Sequence, residues 1–175
     1  MIDFNTPFPH CDPNQCLQVE AANKFVVIDT PAGKSTIYKG DTSLLQFPYF
    51  TVYNPAEKNI YFLAIDECIY FAKDGKKCDF AVHDENIICF VEIKLAAGNA
   101  NTRRAKKKDA ILQLKTSIND FTQKVNLTPL KLEACLCVGY KTAAPRTKAS
   151  SQGNAKDFID NFNTELFEGN EMTFA

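Results

Sequence analysis

Asp79, Glu92 and Lys94 are the residues of this sequence whose types and spacing can do chemistry. They lie in the run 76–94, where Asp79 opens one apolar stretch and Glu92-Ile93-Lys94 closes the next. Side chains alternate faces along a strand, so Glu92 and Lys94 point the same way. If the two stretches pair as a hairpin, Asp79 comes close to both. Two carboxylates beside an ammonium at a sheet edge are costly, unless a hard divalent cation that takes oxygen ligands sits between them.

The elements that would hold these residues follow from the hydrophobic pattern. Residues 1–14 read as an irregular arm rich in Pro, Asn and Asp. A short helix is expected within residues 14–22, then a strand from about Lys24 to Ile28. Asp29-Thr30-Pro31 begins a turn. Ile60–Phe71, Cys78–Val82 and Ile87–Lys94 read as a three-stranded antiparallel meander. Asp74-Gly75 and Asp84-Glu85-Asn86 supply its tight turns. Ile111, Leu114, Ile118, Phe121 and Val125 recur at three- and four-residue spacing and predict a helix beginning near Thr102 and stopping before Thr128-Pro129. A buried strand over 132–140 follows. Residues 141–153 read as a basic loop, residues 154–168 as a helix, and residues 170–175 as a tail or short edge strand. No repeat or second domain is visible in 175 residues.

Strand, strand, strand, helix, strand, with acids on the second and third strands, resembles the core of the restriction-endonuclease-like, or PD-(D/E)XK, nuclease superfamily. The family's Asp corresponds to Asp79 and its Glu/Asp-x-Lys to Glu92-Ile93-Lys94. Cys78 stands where the family nominally has Pro, a residue that carries no chemistry. The resemblance covers about residues 60–140. It implies an α/β fold with a restriction-endonuclease-like core: a mixed central sheet with an antiparallel β-meander, flanked by helices. The expected organisation is a single domain over 1–175, with an N-terminal helix/strand extension over 1–59 and a basic loop and C-terminal helix over 141–175. It further implies metal-dependent hydrolysis of phosphodiester bonds in DNA or RNA, DNA being favoured. Mg²⁺ or Mn²⁺ would be held by Asp79, Glu92 and the Ile93 carbonyl. Lys94 would act on the attacking water or the transition state, and Gln113 on the following helix would support the site. Family members often take a further acid from an N-terminal helix. Glu20 is the first candidate here, with Asp66 and Glu67 as alternatives. Small members often serve in restriction or phage defence. The alternative is a non-catalytic nucleic-acid- or protein-binding accessory protein on a diverged nuclease fold.

Arg103, Arg104, Lys106, Lys107 and Lys108 begin nine residues after Lys94. Five cations at a helix N-terminus oppose the macrodipole, which points to phosphate as their partner. Lys141, Arg146 and Lys148 could form a second clamp. The chain as a whole has a net charge of -1, so any attraction to nucleic acid must come from such local clusters. Specificity at this size would have to come from a homodimer, the N-terminal arm or a partner protein. The seven cysteines lie mostly in apolar runs and are expected to be reduced, buried thiols. His10, Cys11 and Cys16 lack the second cluster a zinc site needs. The first residues carry no basic and apolar signal-peptide pattern. No apolar run approaches the ~18 residues that span a bilayer. A cytoplasmic protein with no membrane partner is therefore expected.

Overall fold

The computed structural model describes residues 4, 7–8, 13–30, 34–95, 99–128, 130–139 and 144–175. The chain folds into an α/β arrangement with a mixed sheet of seven strands, a second sheet of four, and two long helices. The strands are β1 (Leu17–Glu20), β2 (Lys24–Ile28), β3 (Thr36–Tyr38), β4 (Tyr49–Tyr53), β5 (Ile60–Ala64), β6 (Phe80–His83), β7 (Ile87–Lys94), β8 (Lys131–Val138), β9 (Thr147–Lys148), β10 (Thr164–Glu168) and β11 (Glu171–Thr173). The helices are α1 (Pro13–Cys16), α2 (Ala100–Lys124) and α3 (Gln152–Phe162). Among the described residues, no helix is long and apolar enough to cross a membrane.

The larger sheet runs in the order β1-β5-β6-β7-β8-β10-β9. β5, β6 and β7 pair antiparallel, and β7 and β8 pair parallel across the α2 crossover. β7 reads Ile-Ile-Cys-Phe-Val and is buried on both faces. Such a continuous apolar run suits a central strand covered on two sides. On one side, Phe90 meets Phe121 of α2 with ring centroids 5.4 Å apart. On the other, Phe80 meets Phe50 of β4, in the smaller sheet, at 5.9 Å. That second sheet runs β11-β4-β2-β3.

Alternation then fixes where the acids point. Phe80 and Val91 are directly opposed, as are Ala81 and Phe90. Glu92 and Lys94 therefore share the face of Phe90, toward α2, as does Asp79 one residue before Phe80. α2 carries its apolar stripe on Ile111, Leu114, Ile118 and Phe121, all buried. Its first turn is capped by the Asn99 side chain, which accepts a hydrogen bond from the Thr102 amide at 3.1 Å.

Several expectations change. The segment over 14–22 is not mainly helical: α1 is one turn, and β1 pairs along the β5 edge with Glu20 opposite Ile60. The Leu17 and Val19 alternation serves an edge strand, and tertiary pairing overrides local helix preference. The first meander connection is no two-residue hairpin. β5 ends at Ala64, and residues 65–79 form an excursion with Asp74 in a 3₁₀ turn and Gly75 at φ 80°. The C-terminal helix stops at Phe162, where Asn163 turns left-handed at φ 49°, and Thr164–Glu168 joins the sheet parallel to β8. The Leu166 and Phe167 spacing fitted either element, and the open edge of β8 decided it. Strands from both flanking segments thus take part in the two sheets.

Cys16 and Cys68 are joined by a disulfide, correcting the expectation of reduced thiols for this pair. Cys78, Cys89, Cys135 and Cys137 are free and buried, as expected. His10 and Cys11 lie outside the described residues. The bridge closes a separation of 52 residues and ties α1 to the excursion after β5. Closing a loop of that size contributes about 2–4 kcal/mol by restricting the unfolded chain. Cys16→Ser, or reduction with dithiothreitol, is expected to lower the calorimetric unfolding midpoint accordingly. An unchanged midpoint, with both sulfurs titrating as thiols in the untreated protein, would contradict the pairing.

Candidate active site

Asp79 is a junction of the backbone as well as an acid. Its Oδ2 accepts a hydrogen bond from the Ile93 amide at 2.5 Å. Its carbonyl accepts from the amides of Ile65 at 2.9 Å and Asp66 at 3.3 Å. The residues just before it are fastened to α2. The Cys78 amide donates to Ser117 Oγ at 2.7 Å, and Gln113 Nε2 donates to the Lys77 carbonyl at 2.8 Å. Lys77 itself is buried, with Nζ 2.5 Å from Asp120 and 4.8 Å from the centroid of the Tyr70 ring. Gln113 thus holds the strand entry, and its Oε1 is buried without a hydrogen-bond partner among the described residues.

Glu92 is completely buried. Its Oε1 is in ion-pair contact with the Lys94 ammonium, yet neither oxygen accepts a hydrogen bond of ordinary geometry from the described residues. Burial pushes the Glu92 carboxyl up to about 8, with Asp29 and Asp66 adding to the rise and Lys94 opposing it. Burial likewise drives Asp79 well above the usual carboxylate range, reinforced by Glu92 and Asp29 and opposed by the Ile93 amide and Lys94. Asp66 is raised by burial and by Glu67. Asp29 is raised by burial and by Asp66, while the Ser35 hydroxyl donating at 3.2 Å lowers it. Burial works against the Lys94 charge, but Glu92, Asp79 and Asp109 outweigh it and hold the ammonium protonated.

The structure therefore brings together Asp79, Glu92 and Lys94, with Asp66 and Asp29 close enough for their charges to be felt. Asp66, one of the alternatives for the further acid, belongs to this group. Asp29 was read only as a turn residue; its one sequence signal was an acid directly after the apolar strand Phe25–Ile28. Glu20 does not join the cluster. It sits on β1 with its carboxylate 3.2 Å from Lys39 Nζ. Among the described residues, no three His, Cys, Asp or Glu side chains are already gathered at metal-holding distance.

The basic residues separate into two groups. Arg103, Arg104 and Lys108 lie exposed on α2 with no ion pair among the described residues. Lys106 Nζ donates to the Leu95 carbonyl at 2.7 Å, and Lys107 pairs with Glu168 at 2.8 Å. Arg146 is engaged elsewhere, in ion-pair contact with buried Glu133 and 4.4 Å above the Phe167 ring. Lys148 lies 3.3 Å from Glu165, and Lys141 lies outside the described residues.

Comparison of the chain with protein-family profiles, curated proteins and solved structures finds no match.

The raised acids make a signed prediction about stability. Between pH 4.5 and about 8 the unfolded Glu92 is ionised while the folded one keeps its proton. The native state binds more protons there, so stability falls as pH rises through that window. Glu92→Gln is expected to flatten the fall in denaturation midpoint between pH 5 and 8 and to stabilise the metal-free protein at pH 8. Parallel profiles for the two proteins would refute a raised Glu92.

Proposed function

We propose that this protein is a metal-dependent nuclease that hydrolyses phosphodiester bonds. The observation that carries the reading is Glu92: a fully buried carboxyl group whose Oε1 meets the protonated Lys94 ammonium and whose Oε2 has no hydrogen-bond partner among the described residues, beside Asp79. A buried carboxylate left in that state is an oxygen donor prepared for a hard cation. The setting supports the same reading. β5, β6, β7, α2 and β8 follow one another in the strand-strand-strand-helix-strand order of the restriction-endonuclease-like core, with Asp79 entering the second strand and Glu92-Ile93-Lys94 closing the third.

The donor set fits Mg²⁺ or Mn²⁺, with Asp79, Glu92 and the Ile93 carbonyl as the holding groups and Asp66 or Asp29 as the further acid. The ion would supply charge neutralisation at the scissile phosphate and lower the pKa of a water nucleophile. The chain does the rest. Cation binding favours the ionised carboxylates that burial disfavours, so the acids release their protons as the site fills. Lys94, held charged by its acidic neighbours, stabilises negative charge on the reacting phosphate rather than accepting a proton. Gln113 and Ser117 act as positioning residues, since they fix the Lys77-Cys78 backbone that aims Asp79.

Incubating the protein with single- and double-stranded DNA and RNA tests this. Cleavage is expected with Mg²⁺ or Mn²⁺ and not with EDTA. Glu92→Gln should abolish it, and Lys94→Ala should lower kcat by about 10²–10³-fold. Cleavage that survives EDTA or both substitutions overturns the mechanism. Binding without cleavage by the wild type favours the accessory-protein alternative.

A further inference from the structure

We infer that a single-stranded stretch of nucleic acid lies along a continuous basic groove that begins beside Lys94 and follows α2 to the start of α3. The inference deepens the nuclease reading and rests on it for the direction of the strand.

Three cavities along α2 share their walls. A small one of about 240 Å³ is lined by Arg103, Lys107, Leu136, Val138, Gly139 and Glu168. Another of about 480 Å³ has Arg103, Arg104 and Lys107 in common with its neighbours. The largest, about 850 Å³, runs between α2 and α3, from Arg104, Lys107 and Lys108 to Lys115, Ser151 and Asn154. The smallest cavity borders the strand that carries Lys94. Val138 pairs in register with Lys94, and the Gly139 amide donates to the Lys94 carbonyl at 2.9 Å.

Charge favours a polyanion as the occupant. Five cations, Arg103, Arg104, Lys107, Lys108 and Lys115, line these walls; Lys107 pairs with Glu168 and Lys115 with Asp157, which leaves Arg103, Arg104 and Lys108 without an ion pair among the described residues. The chain as a whole carries -1, so this excess is local. α2 has no acid in its first turn, and its cations oppose the helix dipole. Positive charge concentrated against its own helix is relieved by phosphate. At the far end, Lys115 joins α2 to α3: it is in ion-pair contact with Asp157 and lies 5.7 Å from the centroid of the Phe158 ring.

The floor favours an unpaired strand over a duplex. Ala105, Ile111 and Leu112 line the wide cavity, and Leu112 is 61% exposed. A duplex presents phosphates and keeps its bases stacked inside. A single strand can set phosphates on the basic rim and lay sugar and base faces on the apolar floor.

The test uses full-length Glu92→Gln protein, so that binding is read without cleavage, and fluorescence anisotropy with labelled 20-mers of single-stranded DNA, single-stranded RNA and duplex DNA. Single strands are expected to bind at least ten-fold tighter than duplex. Combining Arg103→Ala, Arg104→Ala and Lys108→Ala should weaken single-strand binding more than ten-fold and reduce the salt slope by about 2. Leu112→Ser should weaken it several-fold with the slope unchanged. Lys39→Ala, on the distant β3 side, should change neither. Circular dichroism melts establish that each variant is folded. Duplex bound as tightly as single strand, or groove variants that bind like the parent, overturn the proposal. The nuclease reading fails separately: a wild type that binds single strands through this groove but never cleaves keeps the groove and loses the nuclease, whereas cleavage indifferent to the groove variants does the reverse.

Discussion

The hydrogen bond from the Ile93 amide to Asp79 Oδ2 joins the two strands that carry the acids, at the point where their ladder ends. Everything at the site depends on it and on the other bonds that converge on Asp79. Its carbonyl holds the start of the 65–79 excursion, and the two residues before it are tied to Ser117 and Gln113 of α2. A carboxyl group that accepts a backbone amide is fixed in direction, so Asp79 is held in one orientation. The same burial keeps Asp79 and Glu92 protonated well above the ordinary carboxylate range. Ionising these acids inside the folded protein is therefore costly.

The rest of the architecture encloses that junction. The smaller sheet covers one face of β6 and β7, and α2 covers the other. The smaller sheet also delivers Asp29 from the end of β2, and the excursion delivers Asp66. The Cys16–Cys68 bridge anchors that excursion two residues beyond Asp66. A structural disulfide sits uneasily with a reducing cytosol, where thiols are kept reduced.

Much of the central unit was legible in the sequence. β7 and α2 announce themselves because a buried central strand must be continuously apolar and a covering helix must repeat its apolar positions at 3.6 residues. Glu92 and Lys94 share a face by strand alternation alone. What the sequence obscured were elements chosen by partners distant in the chain. β1 took an edge of β5, and β10 took the open edge of β8, in segments whose local pattern allowed a helix. Glu20 moved with β1 and found Lys39 instead of the acids.

By itself the sequence determined the spacing of Asp79, Glu92 and Lys94, the helix that follows, and the basic run at its start, because each is set by local periodicity and residue chemistry. Only the tertiary structure decided which further acids join them, since Asp29 comes from the end of β2 and Asp66 from the excursion after β5, 37 residues apart. Only the tertiary structure, likewise, engaged Arg146 with Glu133 while leaving Arg103, Arg104 and Lys108 along a groove. Burial is a property of the packed chain. It turned a pair of ordinary carboxylates into acids that hold their protons, and no spacing of residues along the sequence specifies that.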